Sequence, residues 1–143
     1  MEQDTIRLLQ ECDAGVKMGI SSIEDVLDHV KDTDLKQNLA ESKRDHETLE
    51  QELRTQLNRY EDGGKEPNPM AKGMSWLKTN MKLSWDESDA TIADLMTDGC
   101  NMGVKSLSKY LNQYQAADET SKNITKRLIS LEEQLAVKIR RFL

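Results

Sequence analysis

Residues 12–17 read CDAGVK, and residues 100–105 read CNMGVK. The phrase Cys-x-x-Gly-Val-Lys therefore occurs twice and takes up both cysteines of the 143-residue chain. Around the first copy, apolar residues step by threes and fours, the spacing of a single helix face. Positions 6, 9, 13, 16, 20, 23, 27 and 30 hold Ile, Leu, Asp, Val, Ile, Ile, Leu and Val, with Asp13 the one acidic interruption. After KDTD, where Asp32 suits a helix N-cap, a second stripe runs through Leu35, Leu39, Ser42, His46, Leu49, Leu53, Leu57 and Tyr60. Facing pairs from Val30 with Leu35 to Asp13 with Leu53 have residue numbers that sum to 65 or 66. The two stripes thus match rung by rung, and the short connection makes them antiparallel neighbours.

The second copy repeats the arrangement. A helix expected from about Asp89 to Gln115 carries Ile92, Leu95, Met96, Cys100, Val104, Leu107, Tyr110, Leu111 and Tyr114. QAADETS makes a turn, and a last helix carries Ile124, Leu128, Leu131, Leu135, Ile139 and Phe142. Pairs from Leu111 with Ile124 to Cys100 with Leu135 all sum to 235. Between the hairpins, EDGGKEPNP at 61–69 breaks the pattern. Gly63 and Gly64 can end a helix, and Asn68 with Pro69 can start one. A short helix with Trp76, Leu77, Met81 and Trp85 facing inward is expected there. DES at 86–88 closes the segment. The expected architecture is a single all-α domain over 1–143: hairpin 5–60, a long crossover 61–88, hairpin 89–143. A crossover of this length can travel the whole bundle, and burial of its two tryptophans favours that path over a loose insert.

Composition narrows the function classes. Charged residues make up 32% of the chain and the net charge is −6. An acidic surface repels phosphate backbones and anionic lipids, so neither nucleic acid nor membrane is an expected partner. No apolar run approaches the roughly 20 residues that cross a bilayer. The opening MEQDTIRLLQ has no basic-then-apolar signal region. The expected compartment is the cytoplasm, where two cysteines are free thiols.

The duplicated phrase brings glycines with it. Gly15 and Gly19 lie one turn apart in the first helix, Gly99 and Gly103 in the third. A glycine inside a helix costs about 1 kcal/mol relative to alanine. With the small Cys12 and Cys100 beside them, these pairs are expected to form shallow strips where the first and third helices cross closely about a pseudo-twofold axis. Room for a ligand is the alternative use of the missing side chains.

Two hairpins related in this way and joined by a long crossover resemble the ferritin-like fold. The segments ECDAGVKMG, DGCNMGVKS and PMAKGMSWLK are similar to a bacterial ferritin-like family of unknown function, over nearly the whole chain. The resemblance implies a four-helix bundle with a short crossover helix. Ferritin-like di-metal proteins take one Glu from each of two helices and Glu-x-x-His from each of the others. Here the residues three before His29 and His46 are Val26 and Lys43, and Val16 and Val104 stand where the family's motif is acidic. Neither a metal nor another cofactor is therefore expected.

His46 and Asp13 are the polar residues on the stripes that ask for partners. An interior histidine bonded to Glu50 one turn on is expected for His46, and a bundle-edge acid reaching water or Lys17 for Asp13. The leading functional expectation is a non-enzymatic structural or protein-interaction bundle, without catalytic residues, whose partner is a second copy or another protein. A degenerate iron or manganese site using Asp13, His46, Glu50 and Glu132 is the second reading. A thiol-based sensor using Cys12 and Cys100 is the third.

Overall fold

The structure is a computed structural model that describes residues 2–65 and 88–143. They form four α-helices: α1 Glu2–Leu27, α2 Thr33–Arg59, α3 Asp89–Gln113 and α4 Glu119–Ile139. A turn of 3₁₀ helix, Arg140–Phe142, extends the last. There is no strand among the described residues. The short helix expected around Trp76, Leu77, Met81 and Trp85 lies outside them.

Side-chain caps set three of the helix starts. Asp32 accepts from the backbone N–H groups of Asp34 and Leu35, Ser88 from that of Thr91, and Asp118 from that of Ser121. Each meets donors that a helix leaves without an internal partner, worth about 1 kcal/mol apiece. The second helix ends at Arg59 with Tyr60 as its C-cap, earlier than Gly63 and Gly64. Gly64 instead serves the turn beyond, at φ +87°.

The helix directions follow from the contacts between them. Thr5 accepts from the N–H of Asp118, Cys12 meets Thr125, and Gly19 lies against Glu132. These positions advance together, so α1 and α4 run the same way. Glu52 with Arg127, His46 with Glu132 and Asp34 with Arg141 advance oppositely, so α2 and α4 are antiparallel. At one end Asp89 accepts from the backbone N–H groups of Lys31 and Asp32, tying the start of α3 to the turn between α1 and α2. The ladders read from the sequence hold: Gly19 meets His46 across the first hairpin, and Gly103 meets Glu132 across the second.

The apolar core comes in two clusters. One gathers Ile23, Val26, Leu35, Leu39, Ile92, Met96, Leu135 and Ile139 near the α1–α2 turn. The other gathers Leu9, Cys12, Val16, Leu49, Leu53, Leu57, Leu107, Ile124 and Leu128 toward the far end. Full burial of a Leu or Ile such as Leu53 or Ile92 contributes roughly 1.5–3 kcal/mol. His46 and Glu132, both buried, separate the two clusters. Among the described residues no helix is long and apolar enough to cross a membrane.

Candidate functional site

All four helices meet at the polar layer between the apolar clusters. His46 of α2 is 1% exposed. Its Nδ1 lies 2.7 Å from the carbonyl oxygen of Ser42, and its Nε2 lies 2.8 Å from Oε1 of Glu132 on α4. Cys100 on α3 lies within reach of the Glu132 charge. Helix α1 contributes Gly19. A Cβ there would stand 2.8 Å from Cδ2 and 2.9 Å from Nε2 of His46. On α3, a Cβ at Gly103 would meet the Glu132 carboxyl group at 3.6 Å. The two glycines thus make the space in which an imidazole and a carboxylate lie side by side.

The structure revises the expected role of the glycines. Gly15, Gly19 and Gly103 each face a side chain from another helix, not an opposing backbone. Gly15 faces the side chains of Leu128 and Leu107, Gly19 faces His46 and Glu132, and Gly103 faces Glu132. A Cβ at Gly99 would meet nothing within 4 Å. Cys12 and Cys100 do not face each other; they belong to opposite apolar clusters. Cys12 Sγ lies 2.9 Å from Thr125 Oγ1, whose one proton goes to the Ser121 carbonyl at 2.8 Å, so the thiol donates. Burial pushes the Cys12 thiol up to about 12. Burial first, then the charge of Glu132, push Cys100 up as well. Neither thiol has the lowered pKa of a reactive cysteine.

His46 takes Glu132, 86 residues away, as its partner in place of the expected Glu50. Asp13 sits elsewhere, 4% exposed, and accepts at Oδ2 from Lys17 Nζ at 2.8 Å, the partner expected from the sequence. It also accepts from the backbone N–H of Lys65 at 3.0 Å, which the sequence did not suggest. Gly64 presses so closely on this carboxylate that a Cβ would fall 2.3 Å from Oδ2. The side chain of Lys65 is ion-paired with Glu11, and Gln10 donates to Asp62 at 2.9 Å. These bonds pin residues 62–65 to α1.

The donor set does not fit the di-metal centre of ferritin-like proteins. Of Asp13, His46, Glu50 and Glu132, the structure brings together only His46 and Glu132, and these bond to each other. Val16 is fully buried and apolar. Among the described residues no group of three or more His, Cys, Asp or Glu is placed to hold a metal ion. An open groove between α2 and the start of α4, lined by Glu52, Gln56, Asn123, Ile124 and Arg127, lies away from the polar layer. Compared with models of known protein families, with curated proteins and with solved structures, the chain matches none.

Proposed function

We propose that this chain is a non-enzymatic ferritin-like bundle of the cytoplasm that works through its surface, as a structural or protein-interaction module that pairs with a second copy of itself. One observation carries the reading: His46 and Glu132, which lie between the two apolar clusters, are committed to each other. Both ring nitrogens of His46 are engaged, by Ser42 and by Glu132. A ligand or metal entering the bundle would have to break those bonds before it could form its own.

The ferritin-like arrangement is supported by the course of the chain. After α2 the chain turns back along α1, and Lys65 reaches Asp13 and Glu11. It resumes at Asp89, beside the turn that starts α2. Lys65 and Asp89 thus lie apart along the bundle axis, a separation that supports a crossover between the hairpins. Sedimentation equilibrium of the full chain, with metal analysis after growth in added iron, manganese or zinc, tests the function. A dimer with no stoichiometric metal is expected. A monomer at every concentration overturns the pairing. A tightly bound stoichiometric ion, lost in His46→Ala, overturns the committed interior.

A further inference from the structure

The geometry of the polar layer counts its protons. A carbonyl oxygen can only accept, so the 2.7 Å contact with Ser42 requires a proton on Nδ1 of His46. The 2.8 Å contact between Nε2 and Glu132 Oε1 also needs a proton, because an imidazole lone pair and a carboxylate oxygen repel at that distance. Whichever atom carries it, the pair holds one proton more than a neutral imidazole beside an ionised carboxylate. His46 belongs to the first hairpin and Glu132 to the second. We infer that this extra proton is a latch between the hairpins, closing the α2–α4 seam while it is bound and releasing it when it leaves.

The surroundings favour a latch over a merely satisfied histidine. The site is nearly dry and lies between two apolar clusters, so the deprotonated pair would set two acceptors face to face with little water to separate them. The charged and titratable groups around the ring are Glu132 on α4, Cys100 on α3 beside that carboxylate, and Asp45 on α2 itself. Helix α1 meets the ring with Gly19 and has its Glu24 ion-paired to Lys43 of α2. Farther along the α2–α4 seam, the mutual hydrogen bonds of Glu52 and Arg127 keep the first low and the second high, so neither titrates near neutrality.

Burial pulls the His46 pKa down, but the hydrogen bond and charge of Glu132, the Ser42 carbonyl and the charge of Asp45 outweigh it, and the net shift is upward. An unfolded chain releases the imidazole proton near pH 6.5, about the ordinary histidine value. The folded chain releases it at higher pH. The stabilisation is thus complete below about pH 6.5 and is lost as pH rises through the folded value. Within that window the folded state holds one proton more, and the unfolding constant rises about tenfold per pH unit.

Urea unfolding of the full chain between pH 6 and 7.5, below the range in which the thiols of an unfolded chain ionise, tests the latch with Glu132→Gln alongside. In that variant the amide can donate to Nε2 of a neutral ring while Nδ1 still donates to Ser42, so no extra proton is needed. The wild type is expected to show the tenfold slope and Glu132→Gln a flat profile. A flat wild-type profile, or a slope that survives in Glu132→Gln, overturns the latch. Nitrogen-15 and carbonyl carbon-13 spectra of His46 and Glu132 in the wild type at pH 7.5 decide the matter even where the variant does not fold. A proton on Nε2 or on the Glu132 carboxyl group supports the latch. A bare Nε2 beside an ionised carboxylate overturns it.

Discussion

Asp13 and Glu132 are both carboxylates sunk among apolar helix faces, yet they are held by different kinds of donor. Asp13 accepts from a lysine ammonium one turn away and from a backbone N–H, donor types whose ordinary pKa values lie far above neutrality. Glu132 depends on an imidazole 86 residues away. The first arrangement ties a short segment to its neighbouring helix. The second joins the two hairpins through an imidazole, the side chain whose ordinary pKa lies closest to neutrality. A buried carboxylate is therefore an anchor or a switch according to the donor it faces, and both kinds occur in this one small core.

Breaking each carboxylate's support separates the two kinds most sharply. His46→Ala leaves Glu132 buried with only Cys100 beside it, and an uncompensated buried charge costs about 3–5 kcal/mol. Asp13→Asn keeps the shape and an oxygen for the Lys65 N–H, and Lys17, 22% exposed, can turn to water. Its cost should be about 1.5–3 kcal/mol, the strength of a hydrogen bond to a charged group. Urea denaturation of both variants at pH 6.5 measures the gap. Equal losses would mean that the distinction between anchor and switch has no energetic content.

Much of this core could be read from the chain before the structure. Leu35, Leu39, Ser42, His46, Leu49, Leu53 and Leu57, one uninterrupted stripe, are all buried on α2. The antiparallel ladders of both hairpins are equally legible, because short turns leave the register little choice. The pairing of the hairpins was not legible. It rests on contacts such as Gly19 with Glu132 and His46 with Glu132, which depend on how two separate ladders are rotated about their axes. Nothing local in the sequence encodes that rotation. Glu50, one turn from His46, therefore looked the nearer partner, and Thr125 gave no sign of meeting Cys12. The position of Glu132 beside Leu128, Leu131 and Leu135 in the sequence is the available signal: an acid adjoining an apolar stripe calls for a partner across the bundle.

Alanine at Gly19 and at Gly99 carries the comparison to a smaller scale. Both are helix-interior glycines, and alanine should gain each about 0.5–1 kcal/mol of helix propensity. At Gly99 the new methyl group meets nothing within 4 Å, so the gain should appear in full. At Gly19 it meets the His46 ring at 2.8 Å, and the bonds to Ser42 and Glu132 keep the ring from turning aside. Overpacking of roughly 1–3 kcal/mol should outweigh the gain. Thermal denaturation should therefore move the midpoint up for Gly99→Ala and down for Gly19→Ala. A rise in both would mean that the ring has room to shift and the polar layer is less constrained than its hydrogen bonds imply.

The weakest effect should come from the seam's outer edge. Arg127 and Glu52 form two parallel hydrogen bonds of 2.8 and 2.7 Å across the same α2–α4 seam that His46 and Glu132 join inside. The side chains are 46% and 40% exposed, so water and salt screen the attraction. Such a pair contributes about 0.2–1 kcal/mol. Arg127→Ala should cost no more than this at low ionic strength, and the difference should fade in about 0.5 M salt, where the screening length drops below about 5 Å. His46→Ala should keep nearly all of its loss there, because its partner is shielded from the electrolyte. A salt titration of both variants thus asks whether α2 and α4 are joined from within or at the rim. A large, salt-resistant loss in Arg127→Ala would move the joint to the surface.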